Sequence, residues 1–369
     1  MSDIVKTPYT GGITVLSQVS QKGISQSRLL SQMSSGQQKV AEEKIGAISG
    51  LYEQKIARLG REEAKWKGLV TDVGKATSDI SNIVGRLKSM SGKIESMIRS
   101  VNKADQRDQE GQYVNPAGYA ASFDSILKGL HQDAIKGDKQ PNMLGADGVS
   151  YSYRTSISND GNKVMGAYLG SEYKITDSEG KIWAADLSAG LVQRYDDYPT
   201  DKAAESGNIV NGIRLDSQSG DSVTFTTAPD TASPQQFSGT IERKGLRLVN
   251  SWFYEGFSTE GGRSRALADL NDAKEAVKLE IARYELSLKT AKFYEARARN
   301  EAKGYRNQGN ALQIESAQEI AKAQKALARE YNAAQGLVAQ ALAQKTGYAK
   351  MFQSTGGTAL GNKLVNILT

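Results

Sequence analysis

The chain has 369 residues, a formal net charge of +6, one histidine and no cysteine, and 38% of its residues are hydrophobic. Together with the 37 glycines the apolar content is about 48%, which is normal for globular proteins and excludes disorder throughout, while the lack of cysteine excludes a disulfide scaffold and a Cys/His zinc site. No apolar run is long enough to span a membrane, and the 47 basic residues are interleaved with 41 acidic ones rather than clustered as in a nucleic-acid site.

The first segment, residues 1–36, has helical apolar spacing but only four charged residues among its first 35. Polar positions hold Ser, Gln, Thr and Gly, whereas a solvated surface helix normally carries charges there. Burial of unpaired charge is costly, so an uncharged polar face indicates packing against other protein. We predict an inner-core helix that meets copies of itself through Leu16, Val19, Leu29, Leu30 and Met33.

The second segment, residues 37–145, is predicted to form rod helices. No proline occurs between residues 9 and 115, so nothing interrupts a long helix. Steps of seven residues give nine consecutive apolar positions, which is typical of a coiled-coil seam, and a helix through them would be roughly 85 Å long. Asn115 and Pro116 begin a further helix that ends before the turn at 142–145. The seam residues are Ile45, Tyr52, Leu59, Trp66, Val73, Ile80, Leu87, Ile94 and Val101.

The third segment, residues 146–261, is predicted to be an inserted antiparallel β domain. Turn sequences occur at 159–161 (Asn-Asp-Gly), 178–180 (Ser-Glu-Gly) and 219–221 (Ser-Gly-Asp). Such turns between β-rich runs indicate hairpins. The runs expected to be strands include 149–153, 222–226 and 246–249.

The last two segments, 262–330 and 331–369, are predicted to be a C-terminal rod helix and a second inner-core helix. The rod repeats apolar residues every seven positions from 270 to 312 and continues after a phase shift, and its predicted seam residues are Leu270, Val277, Tyr284 and Leu312. The final segment holds three lysines and no acid, like the uncharged N-terminal segment. Its predicted contacts with neighbouring subunits are Leu337, Val338, Leu342, Leu360 and Leu364.

Three short sequences and the order of the segments resemble the bacterial flagellin family, which includes the hook–filament junction protein. Residues 30–36 (Leu-Ser-Gln-Met-Ser-Ser-Gly) are similar to the family's N-terminal Leu-Ser-Ser-Gly run, the helix begun by Asn115 and Pro116 is similar to its third helix, and 340–344 (Gln-Ala-Leu-Ala-Gln) are similar to its last helix. The chain departs from the family after Gly36, where Gln37–Glu43 replace a basic-apolar-Asn stretch and an Asp-Asp-Ala segment. The resemblance implies an inner tube built from paired terminal helices, outward-facing inserts, and type III export without a cleaved signal peptide.

We predict no catalytic, cofactor or metal site. His131 is interpreted as a surface helix histidine, and the Asp196–Asp197 pair as a solvated turn, because a cation cage needs more oxygen ligands. No Gly-Lys-Ser/Thr phosphate loop is present in the sequence.

The predicted fold is α+β: an elongated antiparallel coiled-coil bundle of the N- and C-terminal regions with an inserted antiparallel β domain. The expected function is self-assembly into an extracellular helical filament of the bacterial flagellum. Copies of itself are the main partners, with an export chaperone and hook-associated or capping proteins as further ones, and neither nucleic acid binding nor membrane insertion is expected. The alternatives are a hook–filament junction or cap protein, and a type III secretion translocator or needle-associated protein.

Overall fold

The computed structural model describes residues 26–136 and 142–354, and within them the fold is α+β. Its helices are α1 (Gln26–Ala104), α2 (Pro116–Ile135), a 3₁₀ helix (Ser251–Phe257) and α3 (Glu260–Ser354). The chain divides into two compact units, residues 65–300 and residues 1–64 with 301–369. Each unit is described separately below.

The start of α2 follows from the side chain that precedes it. Asn115 adopts a left-handed conformation, and its Oδ1 accepts a hydrogen bond from the backbone N–H of Gly118 at 3.0 Å. Pro116 occupies the first helical position, where its missing N–H costs nothing. The prediction that a helix begins at Asn115 and Pro116 is confirmed.

The strands form two antiparallel sheets, which confirms the antiparallel β region. A hairpin of β1 and β2 stands apart from a seven-stranded sheet with strand order β6-β5-β4-β3-β9-β8-β7. The turns predicted from the sequence lie between β1 and β2, β3 and β4, and β7 and β8. The strands are β1 (Ser150–Arg154), β2 (Gly161–Met165), β3 (Ser171–Asp177), β4 (Ile182–Asp186), β5 (Leu191–Asp197), β6 (Asp201–Asn208), β7 (Ile213–Ser219), β8 (Ser222–Thr227) and β9 (Gln235–Gly245).

The predicted strand at 246–249 is wrong. The backbone leaves the sheet at Gly245, which has φ 66°, and Arg247 also has a left-handed φ of 58°. A strand requires extended φ values, so the ladder ends at Gly245, which still pairs with Ser171, and Arg247 cannot extend it. Leu246, Leu248 and Val249 are nevertheless buried, since this connection runs through the core toward the 3₁₀ helix. The apolar side chains of this connection therefore reflect its burial and not the presence of a strand.

The helical part of the 65–300 unit contains the ends of α1 and α3 nearest the β region, and these run antiparallel. Lys88 forms an ion pair with Glu285 at 2.8 Å, and Glu95 forms one with Lys274 at 3.3 Å. As the residue numbers rise along α1, the residue numbers of its partners on α3 fall, so the two helices run in opposite directions.

The β1–β2 hairpin rests on both of these helices. The Tyr151 hydroxyl donates to Asp79 of α1 at 3.1 Å, while Arg283 and Tyr284 of α3 donate to the carbonyl oxygen of Met165 at 2.8 and 3.1 Å. The core of this unit is therefore continuous from the helices into the sheet.

In the unit formed by residues 1–64 and 301–369, α1 and α3 are joined by a side-chain hydrogen bond. Tyr52 donates a hydrogen bond to Glu315 at 3.1 Å. An open pocket in this unit has a mainly apolar lining and is formed by Lys55, Arg58, Leu59, Gln308, Ala311 and Leu312.

Candidate assembly surfaces

The predicted rod seam lies on one face of each long helix, and its burial depends on position. Within the 65–300 unit, the α1 and α3 seam residues other than Trp66 are completely buried. Trp66 is half-buried, as are Ile45, Tyr52, Leu59 and Leu312 of the other unit. The completely buried residues are Val73, Ile80, Leu87, Ile94, Val101, Leu270, Val277 and Tyr284.

The predicted inner-core contacts are described only in part. Leu16, Val19, Leu360 and Leu364 lie outside the described residues, and Leu29 and Leu30 are described only as part of α1. Of the remaining four, Met33 and Leu342 are half-buried, Leu337 is 67% exposed and Val338 is 8% exposed. The structure thus leaves the subunit-contact role of this set as a prediction.

The sequence analysis missed a set of apolar residues that face solvent. Leu279, Leu286 and Phe293 of α3 are 71%, 67% and 63% exposed, and they repeat every seven residues. They lie on the side of the helix opposite Val277 and Tyr284, since residues two or nine positions apart are separated by about half a turn or more. The same seven-residue interval is present in the sequence, but the predicted seam contains only the phase of Val277 and Tyr284.

A buried carboxylate, Asp124 of α2, joins this helix to the chain before α3. Its Oδ1 accepts from the Asn250 side chain at 3.0 Å and from the Ser251 backbone at 2.8 Å, and its Oδ2 accepts from the Ser251 hydroxyl at 2.5 Å. Burial raises the pKa of Asp124 to about 6, although these hydrogen bonds oppose the shift.

The same polar network continues to two aromatic side chains. Tyr173 of β3 donates to the side-chain oxygen of Asn250 at 3.0 Å, and Trp252 donates to the Tyr173 hydroxyl at 3.1 Å. All five residues of this network are buried. Their hydrogen bonds to one another hold α2, β3 and the 3₁₀ helix together. Both carboxylate oxygens of Asp124 accept hydrogen bonds from other residues of the chain, which indicates a structural role.

The interpretation of His131 as a surface histidine is wrong. His131 is half-buried, and its Nδ1 accepts a hydrogen bond from the backbone N–H of Ser171 at 3.3 Å. Desolvation lowers its pKa, with the Glu172 carboxylate opposing. Apolar spacing within α2 gives no information about β3, which packs on this side of the helix, so the sequence carried no signal for this contact.

The acidic pair Asp196–Asp197 forms the exposed end of β5, and Asp196 pairs with Lys181 at 3.0 Å. Across the described ranges, no group of three or more acidic, His or Cys side chains is placed to hold a metal ion. The described helices also contain no stretch apolar and long enough to cross a bilayer.

Comparison with known proteins adds no family assignment, because neither protein-family models nor curated protein sequences match this chain.

Proposed function

We propose that this protein is a structural subunit that self-assembles into an extracellular helical filament, as the resemblance to flagellins implies. In this proposal α1 and α3 form an antiparallel coiled-coil bundle, and the β region faces outward. Two observations support the bundle. Residues at seven-residue intervals are buried on both helices, and the two helices run in opposite directions.

The observation that carries the proposal is where large apolar side chains remain exposed. In the described part of the chain, every large apolar side chain more than 60% exposed lies on α1 or α3, and none lies in the β region. Isolated exposed leucines are ordinary, but the row of Leu279, Leu286 and Phe293 at seven-residue intervals on one side of α3 supports an interaction surface there. These residues are Leu51, Leu279, Leu286, Phe293, Ile314, Leu337 and Tyr348.

Burial of these side chains between subunits supplies the driving force. Complete burial of one Leu or Phe side chain stabilises by about 1.5–3 kcal/mol, so a few such contacts per subunit offset the entropy of association. Contacts between different faces of neighbouring subunits do not close on themselves, and they generate a helix of subunits. The terminal segments add contacts of the same kind in this proposal.

The test is direct imaging of the purified protein over a concentration series. Sulfate strengthens apolar burial, so filaments should form above a critical concentration that falls as sulfate is added. Negative-stain electron microscopy separates filaments from the closed rings expected of a junction or cap protein. A chain that stays monomeric by sedimentation at every concentration and salt would contradict the proposal.

The translocator alternative makes a different prediction. A translocator inserts apolar segments into a bilayer, and vesicles containing a self-quenched dye would then leak when the protein is added. We expect no leakage, because the described helices carry no bilayer-spanning stretch.

A further inference from the structure

We draw no further inference here: the strongest candidate, the exposed row of Leu279, Leu286 and Phe293 on α3, is an unpartnered apolar face, and nothing in the described part of the structure shows what covers it.

Discussion

Asp124 gives the sharpest quantitative prediction, because its environment makes the protein less stable when the carboxyl group ionises. The pKa of this group is raised from 3.8 to about 6 in the folded protein, chiefly by burial. The folded chain therefore holds a proton that the unfolded chain releases between these pH values. The stability from this group is fully present below pH 3.8 and is lost as pH rises through 6. At 1.36 kcal/mol per pH unit, the loss by neutral pH is about 3 kcal/mol.

Asp124→Asn removes the ionisation and keeps the shape. The amide oxygen can accept from Asn250 and the Ser251 backbone as the carboxylate does, and the amide nitrogen can donate to the Ser251 hydroxyl. We expect the Asp124→Asn protein to be about 2 kcal/mol more stable relative to wild type near pH 7 than it is near pH 4, because the unfolded chain has already begun to release this proton at pH 4. Asp124→Ala should instead lose stability at both pH values, because it leaves buried donors unpaired at about 1–3 kcal/mol each.

Urea unfolding followed by the fluorescence of buried Trp183 and Trp252 measures this difference. Asp221→Asn, at an exposed position in the β7–β8 turn, is the control for the loss of one negative charge. A change that both variants share then reflects the loss of one charge rather than burial. If the Asp124→Asn curve also runs parallel to wild type from pH 4 to 7, the burial argument is refuted.

Three further predictions concern the sheet, His131 and assembly. Asp177→Ala should cost about 2–5 kcal/mol, measured by urea unfolding, because it leaves the buried Arg194 Nε–H and Trp183 Nε1–H without an acceptor, although Glu179 still pairs with Arg194. Since desolvation lowers the pKa of His131, stability should fall relative to His131→Gln as pH drops from about 7 to 5, and equal unfolding midpoints across that range would contradict this. Leu342→Lys should abolish filaments in electron micrographs while the exposed Gln344→Lys control assembles, and filaments from both would remove Leu342 from the subunit contacts.

Much of the helical architecture was readable from the sequence because its signals are local. The absence of proline permits α1, and Asn115 with Pro116 sets the start of α2 through contacts within one turn. Turn sequences likewise placed three hairpins, since their φ preferences act over two or three residues. The heptad positions of α1 and α3 predicted which faces are buried near the β region, because a helix repeats its faces at a fixed interval.

Tertiary structure alone decided the contacts between distant parts of the chain. The sheet is completed by β3 pairing with β9, and Asp124 finds Asn250 and Ser251, which lie 126 and 127 residues away. Apolar spacing cannot distinguish a buried connection such as 246–249 from a strand, because both exclude water. It also did not show that Leu279, Leu286 and Phe293, which share the seven-residue interval of the buried seam, stay exposed on the opposite side of α3. Burial depends on what packs alongside, and that is fixed only when the whole chain folds.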